Sequence, residues 1–302
     1  MKIGIDVGGS HIGLGIVNQD GKIIYKKEKD YPIHKEDMSE IVINTIIELI
    51  QELVKENGID IEEIESIGIA VPGTVSKGVI VKADNLGIKK LEIEKKLKQV
   101  YDIPIFLQND AKCAAIAEKN FGSLKEYNDS MFLIIGTGIG GAVFLGGELL
   151  KPKRYSGFEV GHMVIGANEK KCGCGRMGCF ETYGSMKRFK QKIQTEFKLP
   201  DIDGKRIKEF IIKNEDNEKL KNIVDKYIDD LAIGITNLIN IFEPEAVSLG
   251  GSFAYYEDIL LNKLGKRIIE KKELFNREGK IPKFVVAQLK NDAGIIGAAM
   301  SN

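Results

Sequence analysis

The chain has 302 residues, with 44 Lys and Arg balanced by 44 Asp and Glu, so its formal net charge is zero. That length can bury one large or two medium cores, and the lack of a basic surplus argues against nucleic acid or an anionic membrane surface as partner. No apolar run reaches the roughly 20 residues that span a bilayer, and the opening Met1-Lys2-Ile3-Gly4-Ile5-Asp6 lacks the n- and h-regions of a signal peptide, so a reducing cytoplasm is the expected setting.

Lys2 to Ser10 reads as a short strand running into a glycine turn, followed by strands over His11–Val17 and Lys22–Lys27 joined by the turn Asn18-Gln19-Asp20-Gly21. Met38 to Asn57 carries Ile41, Ile43, Ile46, Ile47, Ile50, Leu53 and Val54 at helical spacing and stops before Gly58. Ser66–Val71 is a strand halted by Pro72-Gly73, Ile105–Gln108 is another, and Asp110–Phe121 is a small-residue helix closed by Gly122. From Met131 the pattern repeats, with strands over Met131–Ile135 and Gly141–Leu145 around a glycine turn. Helices follow over Met186–Phe197 and Leu220–Phe242, a strand into a glycine turn over Ala246–Gly251, a strand over Lys283–Ala287, and a closely packing helix over Asp292–Met300. The order predicts an α/β protein of two duplicated lobes with a cleft between them. Residues 1–115 would form the smaller lobe, residues 116–289 the larger, and the last helix, about 290–302, would pack back on the first.

Three glycine turns follow strands: Asp6-Val7-Gly8-Gly9-Ser10, Gly136-Thr137-Gly138-Ile139-Gly140-Gly141 and Gly250-Gly251-Ser252. Such turns permit positive φ and bring backbone N–H groups close to phosphate oxygens. The second precedes a strand rather than a helix, so it is no Rossmann fingerprint, and no Gly-Lys-Ser/Thr P-loop occurs. Paired hairpin loops, as in actin-like folds, are the expected nucleotide grip. Asp110, at a strand end before an Ala-rich helix, can serve as a general base or simply cap that helix. Asp6 can be a turn residue or a water-mediated partner of a nucleotide-bound Mg2+.

The stretch from Gly161 to Glu181 places His162, Cys172, Cys174 and Cys179 in a His-x9-Cys-x-Cys-x4-Cys pattern, the four N/S ligands of a closed structural zinc site. Reduced, unliganded thiols are the alternative, whereas a disulfide scaffold would be smaller and denser in cysteine. Cys113, in an apolar stretch, reads as a core residue. Glu159 and Glu181 flank the metal pattern, which suggests a binding site held in shape by zinc.

Taken together, Ile5-Asp6-Val7-Gly8-Gly9-Ser10, Gln108-Asn109-Asp110, the Gly136–Gly141 loop and Glu159-Val160-Gly161-His162 leading into Cys172–Glu181 resemble the ROK family (repressors, open reading frames, sugar kinases) across essentially the whole chain. The resemblance implies a two-lobed actin/hexokinase-like (ribonuclease H-like) ATPase fold and ATP-dependent phosphorylation of a sugar hydroxyl. It implies Asp110 as catalytic base, and Gly73, Asp84, Asn85, Asn109, Glu159, His162 and Glu181 around the sugar. Asp6, Gly8, Gly9, Ser10, His11, Gly136, Thr137, Gly138, Gly250 and Gly251 would hold ATP with Mg2+. His162, Cys172, Cys174 and Cys179 match the family's zinc ligands, and a homodimer is the family expectation. Position 11 is His where the family more often has Thr, Lys or Asn, and the Trp often found after Asn85-Leu86 is absent. The expected activity is that of a glucokinase, with N-acetylmannosamine, N-acetylglucosamine and fructose as other substrates of the same chemistry. A non-catalytic sugar sensor is the reading from a different class. A DNA-binding repressor of the family would carry a winged helix-turn-helix ahead of the first glycine loop, which here begins within ten residues of Met1.

Overall fold

The computed structural model describes residues 1–31, 37–152, 157–166, 170–270, 274–275 and 281–301. The chain divides into two compact units, one of Met1–Glu126, Leu149–Gly157 and Gln288–Asn302, the other of Tyr127–Glu148 and Phe158–Ala287. The boundary expected at 115/116 falls inside a continuous helix, Asp110–Phe121, and the units part only after Gly122 has ended it.

The first unit is built on a mixed five-stranded sheet. Strands β1 (Lys2–Val7) and β2 (His11–Val17) pair antiparallel around the first glycine turn, and β3 (Ile23–Asp30) pairs antiparallel with β2. Asn18 shapes the β2–β3 turn by accepting the Asp20 and Lys22 N–H groups on its side chain (3.1 and 2.9 Å), while Gly21 takes φ 74°. The amphipathic helix α1 (Ser39–Glu56) buries Val42, Ile46, Leu49 and Ile50 in the core. Strand β4 (Ser66–Val71) pairs parallel with β1. A small hairpin of β5 (Thr74–Ser76) and β6 (Val79–Lys82) and a short helix α2 (Ile93–Leu97) intervene, none of which the hydrophobic pattern announces. Strand β7 (Ile105–Asn109) then pairs parallel with β4 and feeds α3 (Asp110–Phe121), giving the order β3-β2-β1-β4-β7. Because β1, β4 and β7 are parallel, Gly8, Pro72-Gly73 and Asp110 all leave the same edge of the sheet, where α/β folds collect ligand-binding groups.

The second unit repeats this plan. Strands β8 (Ser130–Ile135) and β9 (Ile139–Leu145) form an antiparallel hairpin around the second glycine turn, with β10 (Glu148–Leu149) outside it. Helices α4 (Glu181–Gly184), α5 (Met186–Phe197), α6 (Gly204–Lys213) and α7 (Glu218–Phe242) follow. Strand β11 (Ala246–Gly250) pairs parallel with β8, α8 (Glu257–Glu270) follows, and β12 (Lys283–Val286) pairs parallel with β11. The order β10-β9-β8-β11-β12 matches that of the first sheet, with a glycine hairpin on each central strand. Phe180, Phe189, Leu231, Ile235, Phe253 and Leu264 anchor a core between α4, α5, α7 and α8.

The last helix, α9 (Ala293–Ala299), belongs to the first unit and lies directly on backbone. A Cβ on Gly4 would stand 1.9 Å from the Ile295 carbonyl oxygen, one on Gly68 would stand 1.7 Å from that of Ala298, and one on Gly297 would stand 1.7 Å from that of Cys113. These three glycines therefore let α9 touch β1, β4 and α3 at a distance that no larger residue permits. Cys113 is fully buried there, 3.7 Å from the Ser301 hydroxyl, and burial pushes its thiol far above the usual range, as befits an inert core residue. Among the described residues, no helix is long and apolar enough to cross a membrane.

Candidate active site and metal centre

In the first unit the parallel sheet edge gathers Asp6, the turn Gly8-Gly9-Ser10, Gly73, Asn109 and Asp110. Asn109, rather than Asp110, caps α3: its side-chain oxygen accepts the Lys112 N–H (3.3 Å) and its amide donates to the Gly73 carbonyl (3.0 Å). Asp110 is the first helical residue, and its Oδ1 accepts the neighbouring Ala111 N–H (2.8 Å). Gly73 has φ 91°, and a Cβ there would stand 2.2 Å from the Lys82 carbonyl oxygen, so this turn is closed to other residues. The same approach brings it to the segment holding Asp84 and Asn85, both exposed at a turn, where Asp84 pairs with Lys82 (2.9 Å).

Asp6 is half-buried at the end of β1, against the backbone of Gly294. Burial, reinforced by the negative charge of Asp110, raises its carboxyl from the ordinary 3.8 to about 6, with His11 and Lys26 partly opposing the rise. The Gly8 N–H donates to the His11 carbonyl (2.9 Å), which closes the hairpin; Gly9, Ser10 and His11 are exposed.

Two residues of this region have no counterpart among the sequence-predicted site residues. The buried Tyr31 donates its hydroxyl to the Gly8 carbonyl and its N–H to the Ser10 carbonyl (3.0 Å), clamping the turn from the side. Desolvation and Asp6 together push its phenol up to about 12, so it stays a donor. Lys112 is buried on α3 and donates from Nζ to the Gly157 carbonyl (2.7 Å). A lysine among the alanines of α3 was the only sequence signal for it, and Tyr31 offered none.

In the second unit, the ring nitrogen and three sulfurs of His162, Cys172, Cys174 and Cys179 all lie within 4.8 Å of one another. The Cys174 and Cys179 sulfurs are 3.6 Å apart, and Cys172 Sγ is 3.7 Å from His162 Nδ1. A tetrahedral ion with metal–sulfur bonds of about 2.3 Å has ligand–ligand edges of about 3.8 Å, so the donor set fits structural zinc in spacing as well as in kind. Gly175 (φ 90°) and Gly178 (φ 78°) provide the turns between ligands. The Arg176 N–H and side chain favour the Cys174 thiolate and lower it to about 6, whereas burial and the Glu181 carboxylate hold Cys172 up at about 12. A divalent ion would reverse the latter effect by deprotonating a ligating thiol.

Glu181 joins this cluster to the second glycine turn. Its Oε1 accepts from Cys172 Sγ (2.9 Å) and lies 3.8 Å from His162 Nδ1, and its Oε2 is 2.7 Å from where a Gly138 Cβ would stand. His162 thus turns Nδ1 toward the cysteines. Glu159 is exposed, one residue before the short turn that carries His162. The Gly136 N–H donates to the Gly138 carbonyl (3.0 Å), folding the loop over itself with Thr137 exposed. Gly251 (φ 69°) approaches the Ile135 carbonyl oxygen (2.9 Å from its would-be Cβ), and Ser252 Oγ lies 4.0 Å from that of Gly136. The second and third glycine turns are therefore neighbours. Each unit thus assembles its own predicted residues: the carboxylates and first glycine turn in one, the metal cluster, Glu181 and the other two turns in the other.

The ROK family profile matches residues 2–301. Glucokinase of Thermotoga maritima is 30% identical over 98% of this chain and 95% of its own length. A putative xylose repressor of Caldicellulosiruptor sp. is 29% identical over 98% of this chain and 76% of its own length. The solved ROK hexokinase of Thermus thermophilus superposes with a TM-score of 0.81 at 29% identity, covering 99% of this chain and 97% of that one.

Proposed function

This chain belongs to the ROK family and has its hexokinase-like α/β fold of mixed sheets, and from that premise we propose that it is an ATP-dependent hexose kinase, with glucose as first substrate and glucose 6-phosphate as product. The observation that carries the reading is the division of labour at the start of α3. Asn109 supplies the helix cap, so the Asp110 carboxylate is not needed for that task. In this reading Asp110 accepts the proton of the sugar's primary hydroxyl as that oxygen attacks the γ-phosphoryl group, a kind of assistance typically worth roughly 10²–10⁴-fold.

The N–H groups of the turns Gly8-Gly9-Ser10 and Gly136-Thr137-Gly138, with Gly250-Gly251, serve the phosphates, and Ser10 and Thr137 add hydroxyl donors. His11 stands at the margin of the first turn. Asp6 is the group that would hold Mg2+, through water, and the ion would supply charge neutralisation on the phosphates. Gly73, Asp84, Asn85, Asn109, Glu159, His162 and Glu181 serve the sugar. Zinc on His162, Cys172, Cys174 and Cys179 would fix the loop that carries these ligands, while the residues themselves orient the sugar. A homodimer in the cytoplasm completes the proposal.

The repressor relative keeps a second reading in view, a sugar-responsive regulator without turnover. A panel of glucose, N-acetylmannosamine, N-acetylglucosamine and fructose, assayed with Mg-ATP for ADP release, separates the two. Turnover of glucose supports the kinase, turnover of another hexose alone transfers the specificity, and binding without turnover of any sugar favours the regulator.

A further inference from the structure

A cavity of about 820 Å³ opens in the second unit beside α5 and α7, within the size range of small-molecule sites. Five cationic side chains line it (Lys170, Lys171, Arg188, Lys192 and Lys226), and Asp230 is the one lining carboxylate among the described residues. Lys226 pairs with Asp230 (2.7 Å) and Lys192 with Glu196 (2.8 Å). Lys171 and Arg188 make no ion pair among the described residues, and Lys170 places its ammonium 4.1 Å from the centre of the Tyr183 ring. A concave, net positive wall of this kind concentrates anions. Behind this wall Phe189 and Tyr227 are buried in the core, stacked at 4.3 Å, and the Tyr227 hydroxyl donates to the Gly184 carbonyl (3.0 Å).

We propose that this cavity binds a small phosphate monoester, with Arg188 and Lys171 as the principal ligands of its phosphate. An arginine fork and an ammonium lining one cavity suit a phosphate dianion in charge and donor count, and the volume leaves room for a compact organic portion. The walls connect the cavity to the candidate sugar ligands. Lys171 immediately precedes Cys172, the Lys170 carbonyl accepts the Gly178 N–H (2.9 Å), and the cavity-lining Thr182 and Tyr183 share α4 with Glu181. Occupancy therefore braces the back of the loop and helix that carry His162 and Glu181, which makes the cavity a place for a phosphorylated metabolite to alter sugar affinity. Binding itself needs neither ATP nor turnover, so it stands apart from the kinase reading.

The test is calorimetric titration of the zinc-loaded protein, without ATP and at low salt, with inorganic phosphate and with glucose 6-phosphate. The wild type is compared with Asp110→Asn, Lys192→Gln and the double variant Lys171→Gln/Arg188→Gln; Arg188→Gln alone is the substitute if the double variant melts early or loses zinc. The expected result is saturable binding that falls at least about tenfold in the Lys171/Arg188 variants and stays within about twofold in the other two. Tighter binding of glucose 6-phosphate than of phosphate, lost in the Lys171/Arg188 variants, identifies an organic monoester in this cavity, as proposed. Absence of saturable binding overturns the proposal, as does binding to phosphate alone. Equal affinity of the wild type and the Lys171/Arg188 variants also overturns it, by moving the anion to the glycine turns. Failure of hexose turnover leaves these binding outcomes unchanged, so the two readings fail separately.

Discussion

Replacing Asp6 by Asn separates the stability of the first unit from its proposed chemistry. The Asp6 carboxyl titrates near 6 in the folded chain against an ordinary value of 3.8. Between those values the folded state binds the proton that the unfolded state has released, so stability falls as pH rises from about 4 to about 6 and levels off above about 7. The whole interval, at 1.36 kcal/mol per pH unit, corresponds to about 3 kcal/mol. Asp6 is only half-buried, and solvent screening reduces the expected effect to about 1–2 kcal/mol. Asparagine keeps the shape without the charge, so Asp6→Asn should melt a few degrees above the wild type at pH 7.5 and together with it near pH 4. Calorimetric melting of both proteins across that range, followed by an ADP-release assay, reads the two consequences. Stability gained with turnover lost is the signature of a carboxylate retained for function. A difference in melting that is constant with pH, or a wild type more stable at pH 7.5, would refute the reasoning. Because Asp110 contributes to the shift, Asp110→Asn should also move the Asp6 transition to lower pH.

Tyr31→Phe removes the donor that holds the Gly8 carbonyl, at about 1 kcal/mol; the ATP KM should rise about fivefold with the hexose KM unchanged, and an unchanged ATP KM would detach Tyr31 from the loop. Stripping zinc with a strong chelator should weaken hexose binding more than ATP binding in parallel titrations, because the cluster adjoins Glu181; equal loss of both would indicate general unfolding. Gly297→Ala drives a Cβ to 1.7 Å from the Cys113 carbonyl oxygen and should lower stability by about 3 kcal/mol; an unchanged urea midpoint would contradict the packing of α9.

The strands around the glycine turns and helix α3 were readable because their signals are local. Alternating or continuous apolar runs end at Gly8, Pro72, Gly122 and Gly136, and the observed bounds of β2, β4, α3 and α5 match the predicted ones. The hairpin β5–β6 has strands of only 3 and 4 residues, too short to display a period. Helix α6 buries only Ile207 and Ile211, so its sequence reads as a solvated segment. Helix α8 buries Leu260, Leu264 and Ile268, a helical four-residue spacing already present in the sequence. The glycine motifs and the cysteine spacing were legible as chemistry for the same local reason. Tyr31 and Lys112 were not, because each acts on a carbonyl distant in sequence, at Gly8 and Gly157, and a carbonyl leaves no residue-type signature. The capping role left open for Asp110 belongs to Asn109, one residue earlier, a distinction that backbone geometry alone could draw.

The measurement closest to the central claim pairs hexose phosphorylation with hexose binding in wild type and Asp110→Asn. Purified, zinc-loaded proteins would be assayed for ADP release with Mg-ATP and glucose, and titrated with glucose by calorimetry. The account predicts turnover by the wild type, a loss of roughly 10²-fold or more in Asp110→Asn, and glucose affinity within a few-fold of wild type in both. Undiminished turnover in Asp110→Asn would contradict the assignment of Asp110 as the base.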